Sequence, residues 1–150
     1  MLEMDMTNGY RRSSHSVFSL QVHLSWITKY RYKVLQGIIG QRARDLIRRI
    51  CNEENADILS GAVAPDHVHI LVSIDPSTSV SKLVKYLKGK TSRKLQMEFP
   101  ELRKRYWGQH LWVRGYFAVS AGNVTAKMVQ EYIEHHFEGK EGEDAFRLIP

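Results

Sequence analysis

Two strand-like runs, Ala56 to Val63 and His67 to Ile74, are separated only by a turn at Pro65-Asp66. Strands this close can pair only as an antiparallel hairpin, because a parallel return needs a crossover of a dozen residues or more. Every other element must be arranged around that hairpin. Upstream, Ile39, Ala43, Leu46, Ile47, Ile50 and Cys51 recur at helical spacing between about Ile38 and Asn55. Arg42, Arg44, Arg48 and Arg49 lie largely off that stripe. Downstream, Asp75 to Ser79 forms a loop, and Leu83, Val84, Leu87, Thr91 and Leu95 mark a second helix that ends before Pro100. Gly89 is its weak point.

The outer segments return to strand chemistry. Phe18, Leu20, Val22, Leu24 and Trp26 alternate within Val17 to Thr28. Leu111 to Ser120 is a further strand, interrupted by Gly115, after a short helical turn at Leu102 to Tyr106. A last helix runs from about Val124 to Phe137, with Asn123 placed to cap it. The order is β-α-β-β-α-β-α. This pattern predicts the α+β class: a ferredoxin-like split βαβ fold, with an antiparallel sheet, helices on one face and an added C-terminal helix.

The chain's 150 residues, 43% of them hydrophobic, fit one folded domain. The expected organisation is a flexible start over 1–14, a domain over 15–138 and a tail over 139–150. A net charge of +6 favours a polyanionic partner. Cys51 is the only cysteine, so an internal disulfide and a thiolate zinc cluster are both excluded. Its place on the apolar stripe predicts a buried, inert thiol. No apolar run reaches membrane-spanning length and no signal-peptide core is visible, so the expected location is cytoplasmic, with no membrane partner.

His67 and His69 are two apart on a strand, so both imidazoles project from one face. They form either a metal-ligand pair or two histidines on a solvated sheet face. Tyr132 and His136 stand one helical turn apart and share a face of the last helix. If that helix docks over the strand, three imidazoles and a phenol converge, which suits metal-assisted attack on a phosphate by tyrosine. The alternative is an ordinary amphipathic-helix tyrosine beside histidines at a polar helix end. His135 points about 100° away and is expected to make a surface or packing contact.

Basic and aromatic residues alternate in Lys29-Tyr30-Arg31-Tyr32-Lys33. Lys82, Lys85, Lys88, Lys90, Arg93 and Lys94 load the polar face of the second helix. Of these, Lys29, Tyr30, Arg31, Lys33, Lys85, Lys88, Lys90 and Arg93 are the candidate nucleic-acid-binding residues. Lysine and arginine neutralise phosphates, and Tyr30, Tyr32, Tyr86, Tyr106 and Trp107 offer stacking faces. The bland reading is a solvated helix face plus core aromatics. Trp26 and Trp112 are expected in the core, and His23 is expected to be a hydrogen-bonded structural residue.

With these residues in place, the chain resembles the single-tyrosine transposases of the HUH nuclease superfamily, the small insertion-sequence type that includes repeat-associated relatives. The resemblance covers about residues 15 to 138. It is carried by Val22-His23-Leu24-Ser25-Trp26 leading into Lys29-Tyr30-Arg31, then Pro65-Asp66-His67-Val68-His69, Leu87-Lys88-Gly89, Trp107-Gly108, Leu111-Trp112 and Glu131-Tyr132-Ile133-Glu134. It implies that Tyr132 attacks a phosphodiester in single-stranded DNA, leaving a 5′-phosphotyrosine and a free 3′-hydroxyl. It also implies a divalent metal, Mg²⁺ or Mn²⁺, held by His67 and His69, hairpin recognition at element ends, and a homodimer whose sites are completed in cis or in trans. Many relatives carry glutamine where this chain has His136. An imidazole there favours manganese or a softer ion over magnesium.

Three other readings stand beside that one. A relative that processes repeated hairpins would use the same chemistry. A non-catalytic ferredoxin-like RNA- or DNA-binding module would bind without metal or adduct. A metal-dependent hydrolase using water would survive loss of Tyr132.

Overall fold

The computed structural model describes residues 3–4, 11–12, 17–121 and 147–148. The expected hairpin is its centre. Strand β5 (Asp57–Ala64) pairs antiparallel with β6 (His67–Ser73) around the Pro65-Asp66 turn. Strand β4 (Gln21–Ile27) lies on the other side of β6, and β7 (Phe117–Ser120) pairs with β4. A short strand, β8 (Arg147–Leu148), adds in parallel to the free edge of β5. The sheet order is therefore β7-β4-β6-β5-β8, whose four antiparallel strands have the ferredoxin-like arrangement.

Two helices cover one face of the sheet. Helix α1 (Gly37–Glu53) buries Gly40, Ala43, Leu46, Ile47, Ile50 and Cys51 on a single stripe. It ends in a Schellman cap. Asn55 takes the left-handed conformation (φ 56), and the Ala56 amide donates to the Cys51 carbonyl at 2.8 Å. Helix α2 (Val80–Glu98) begins at Ser79, whose Oγ accepts from the Lys82 amide at 3.2 Å. It buries Leu83, Val84, Leu87, Thr91 and Leu95, the five residues whose spacing predicts it. A bidentate ion pair, Arg42 to Glu98 at 2.7 and 3.0 Å, ties α1 to α2. The two helices meet Leu24, Trp26, Val63, Val68, Ile70 and Val72 of the sheet in one core. Cys51 belongs to it, and burial pushes its thiol up to about 12. A short helix, α3 (Pro100–Arg105), follows with Pro100 in its first turn. Among the described residues, no helix is long and apolar enough to cross a membrane.

Two expectations need revision. The strand expected over Val17 to Thr28 is broken: Val17–Phe18 (β3) pairs with Arg11–Arg12 (β2), which pairs with Glu3–Met4 (β1). Leu20, between β3 and β4, is 41% exposed and does not join the core. Strand β2 carries a buried arginine. Arg11 Nη1 donates to the carbonyls of Ser73 (2.8 Å) and Asn55 (3.2 Å), so its charge is buried with partners. The strand expected over Leu111 to Ser120 is also split. Phe117 pairs opposite Ser25, but Trp112 pairs opposite Thr28. The register slips by two residues between those pairings, and 113–116 loops outward through Gly115 at φ 94. The last helix, over 124–137, lies outside the described residues.

Candidate active site

Strand β6 turns its two faces to different tasks. Val68, Ile70 and Val72 enter the core under the helices. His67 and His69 therefore point to the opposite face, as period-two alternation requires. Both are buried, at 3% and 5% exposure, which removes the solvated-histidine reading. Three of their four cross-strand neighbours are small. His67 lies between Ile27 and Ala64, and His69 lies between Ser25 and Ala62. His23, opposite Leu71, is on the same face and diagonal to His69. Sequence reading placed His23 in a structural role and did not bring it to this face; only the register does so.

The Asp66 side chain anchors the pair. Its Oδ1 lies 2.9 Å from His67 Nδ1, in a nearly buried contact. With that carboxylate ionised, Nδ1 is the protonated nitrogen and Nε2 carries the lone pair. A carboxylate behind an imidazole in this way is the usual support of a metal-ligating histidine. The donor set thus fits a divalent ion with two protein nitrogens. Among the described residues, no group of three or more metal-binding side chains converges. Tyr132 and His136 lie outside the described residues.

The Asp66 backbone links this turn to the basic-aromatic segment. Its carbonyl accepts from the Thr28 amide at 3.0 Å and from Thr28 Oγ1 at 3.2 Å. Lys29–Arg31 then forms a tight 3₁₀ turn, with Tyr30 and Arg31 both left-handed at φ 62 and 55. Such φ values cost side-chain-bearing residues about 1–3 kcal/mol and persist only where neighbours enforce them. Here the Lys29 amide donates to the Leu111 carbonyl at 2.7 Å, and the Arg31 amide to the Thr28 carbonyl at 3.0 Å. Lys29 is half-buried, while Tyr30, Arg31 and Lys33 are exposed.

A basic cleft of about 750 Å³ opens between α2 and the 109–114 segment. Lys29, Lys88, Arg93, Arg103, His110 and Arg114 line it. The candidate residues of α2 divide around the helix. Lys88 and Arg93 reach the cleft, and Lys85 is exposed. Lys90 instead faces Glu53 at 3.9 Å and the Tyr86 ring at 4.9 Å. Lys88 is committed to the fold as well: its Nζ donates to the carbonyls of Val113 (2.8 Å) and Gly115 (2.6 Å), and burial lowers its pKa. Trp112, in the core as expected, donates its indole N–H to the Lys88 carbonyl at 3.1 Å. It meets Trp26 edge-to-face at 6.0 Å.

Two expected stacking faces are not open. Tyr106 is 2% exposed, and burial pushes its phenol up to about 12. Tyr86 packs against the core, with Lys82 and Lys90 over its ring. The contributions of Arg103, Arg105, His110 and Arg114 were missed. The run Arg103-Lys104-Arg105-Tyr106-Trp107 carries the same basic-aromatic signal as 29–33 and could have revealed the first two.

The paired histidines with their carboxylate support, and a basic cleft along α2, define a site class, and comparison with known proteins places it. The family model described as "Transposase IS200 like" matches residues 16–136. The chain belongs to the IS200-like transposases. These are the single-tyrosine HUH transposases of the small insertion-sequence type. The chain is 35% identical over 133 residues to the ISDra2 transposase TnpA of Deinococcus radiodurans, covering 89% of this chain and 91% of that protein. It is also 35% identical over 125 residues to the transposase for insertion sequence element IS200 of Salmonella typhimurium, covering 83% and 82%. A crystal structure of a Deinococcus radiodurans transposase superposes with a TM-score of 0.76 at 31% identity, covering 85% of this chain and 98% of that one. A REP-associated tyrosine transposase, solved bound to a REP hairpin, shares the fold with a TM-score of 0.55 at 12% identity, covering 82% and 69%. An IS200-like transposase acts on DNA, which accounts for the basic cleft along α2.

Proposed function

We propose that this transposase cuts and rejoins single-stranded DNA at insertion-sequence ends, with Tyr132 as nucleophile. The supporting observation is the buried pair His67 and His69 on one face of β6, with Asp66 bracing His67. In this reading the Tyr132 phenol oxygen attacks phosphorus, forming a phosphotyrosine bond. The bond from phosphorus to the 3′-oxygen breaks, and that oxygen leaves as a 3′-hydroxyl after taking a proton. The linkage keeps the energy of the phosphodiester, so a 3′-hydroxyl can later reverse the attack and join strands. Family membership supports transposition, and the absence of a P-loop motif agrees with chemistry that consumes no nucleotide.

His67 and His69 would hold Mg²⁺ or Mn²⁺, with His136 as the third ligand. Bound there, the ion would polarise the scissile phosphate and offset developing charge. The basic cleft would take the strand, and hairpin ends are its proposed partners, by analogy with the REP-bound relative. A homodimer with sites completed in cis or in trans is part of the same proposal.

The test is adduct formation on labelled single-stranded element-end DNA with Mg²⁺ or Mn²⁺. Tyr132→Phe abolishes the covalent adduct and leaves DNA binding nearly intact. An undiminished adduct in that variant rejects Tyr132 as nucleophile. His67→Ala removes cleavage and metal binding; unchanged metal affinity rejects the metal assignment. Binding with neither adduct nor metal dependence in the unmodified chain would instead favour a passive nucleic-acid-binding module.

A further inference from the structure

Beyond Thr28, whose amide bonds the carbonyl of the residue before His67, the chain holds aromatic rings in open solvent. Trp107 is 90% exposed and Tyr30 is 64% exposed. One exposed aromatic would be ordinary. These two border the same cleft, of about 380 Å³, together with Tyr32, Arg105 and His110. The cleft is mounted firmly. The Tyr30 and Tyr32 rings lie 5.3 Å apart, and Tyr32 lies 5.5 Å from Tyr106, which belongs to the core. The left-handed turn at Tyr30 and Arg31 swings the Tyr30 ring out, and the Thr28–Asp66 hydrogen bonds tie that turn to the residue before His67.

Charge selects among possible occupants. The Arg105 guanidinium sits 4.1 Å over the Tyr32 ring, and the Lys29 ammonium sits 5.3 Å from the Tyr30 ring. An apolar protein or lipid surface laid on these rings would strip water from both cations without pairing them, which is costly. Single-stranded DNA satisfies both needs, because its bases present flat π-faces and its phosphates pair with the cations. We infer that Tyr30, Tyr32 and Trp107 form a stacking ledge for unpaired bases of single-stranded DNA, holding the strand beside His67 and His69. The inference rests on the strand-transferase reading above and adds the subsite that grips the bases.

The test uses the full chain and a labelled, mixed-sequence single-stranded DNA oligonucleotide, intact or with one abasic site moved along it. The unmodified protein loses affinity when the abasic site reaches the ledge. Trp107→Ala weakens binding to intact DNA by roughly 5- to 150-fold, the range for one stacked base. It also flattens the abasic profile and leaves the salt dependence of binding unchanged, since no phosphate contact is lost. Trp107→Phe restores most of the affinity. Because the ring is exposed, thermal melting of Trp107→Ala matches the unmodified chain. An unchanged affinity and abasic profile in Trp107→Ala overturns the ledge. So does a loss that appears only as an altered salt slope. Adduct formation is scored separately. An abasic profile that depends on Trp107, without any adduct, keeps the ledge and rejects the transferase reading. An adduct with a Trp107-independent profile does the reverse.

Discussion

Gly61 offers a test in which one methyl group reaches the proposed metal site through the backbone. It sits in β5 opposite Ile70, at φ 151. A Cβ there would lie 2.5 Å from the His69 carbonyl oxygen, 2.8 Å from Ile70 Cγ2 and 2.9 Å from Ile70 Cα. Two of those atoms are backbone of β6, so no side-chain rotation relieves the clash. Forcing an L-residue into this conformation costs about 1–3 kcal/mol. Parting the strands enough to admit the methyl sacrifices ladder hydrogen bonds worth about 1 kcal/mol each. Gly61→Ala should therefore lose about 3–5 kcal/mol, a large share of the ~5–15 kcal/mol a domain has. With a urea m-value of about 2 kcal/mol/M, the midpoint falls by roughly 1.5–2.5 M. The displaced atom belongs to His69, so metal affinity should fall too when measured where the variant is still folded. Gly89→Ala is the matched control. Nothing lies within 4 Å of a Cβ there, and the site is an exposed helix position. That substitution should stabilise by about 0.5–1 kcal/mol. Urea unfolding of both variants decides the matter. A Gly61→Ala midpoint equal to that of the unmodified chain would refute the close approach of β5 to β6.

Three further outcomes follow from the site and the core. Asp66→Asn should weaken Mn²⁺ binding by roughly 10–100-fold with little change in melting, because the Asp66 carbonyl still accepts from Thr28; titration calorimetry with unchanged affinity would remove Asp66 as the brace of His67. Lys88→Met should cost about 1–2 kcal/mol and speed proteolysis within 113–116, since two carbonyls lose a charged donor; an unaltered cleavage rate would show that the loop is held by other contacts. Alkali should destabilise the fold, because Cys51, raised from 9.0 to about 12, keeps its proton when folded and surrenders it when unfolded. That contribution is complete below about pH 9 and lost as pH rises toward about 12, at up to about 1.4 kcal/mol per pH unit, so Cys51→Ala should show a shallower decline in urea stability between about pH 8 and about pH 10.

What the chain discloses before folding depends on the range of the interaction involved. The stripe of α2 is a local matter, and Leu83, Val84, Leu87, Thr91 and Leu95 all bury as their spacing requires. The hairpin is local too, since the Pro65-Asp66 turn leaves its strands one pairing. Long-range pairing is where the reading falls short. Arg11 sits in a polar stretch that looks unfit for burial, yet it is buried by carbonyls 44 and 62 residues away. The strand expected over Val17 to Thr28 holds only from the start of β4, because Val17–Phe18 turns to a different partner strand. Tyr30 and Tyr106 have identical side chains beside basic residues, yet one is in solvent and the other in the core. Composition could not separate them, because the packing of Tyr32 between them sets their exposure.

Long-range strand pairing also puts the histidine pair and the basic-aromatic turn at one end of the sheet. His67 is the first residue of β6, and its cross-strand partner Ile27 is the last residue of β4. Antiparallel pairing therefore brings the turn after β4 against the turn before β6, although Thr28 and Asp66 are 38 residues apart in the chain. Thr28 closes that junction: its amide donates to the Asp66 carbonyl at 3.0 Å, and its single hydroxyl proton is shared between the Tyr32 carbonyl at 2.8 Å and the Asp66 carbonyl at 3.2 Å. A register slip of one residue would send His67 and His69 into the core face and Val68 onto the site face. It would also break both Thr28 bonds to Asp66 and move Lys29 away from the turn. The β4–β6 register thus sets two things together: which face carries the imidazoles, and how far they lie from the residues that would hold a DNA strand. Thr28→Val tests that coupling, because it removes the hydroxyl but keeps the amide and the volume. If the junction aligns strand and site, cleavage should fall more than DNA binding does. Equal losses in both would mean that Thr28 serves the fold alone.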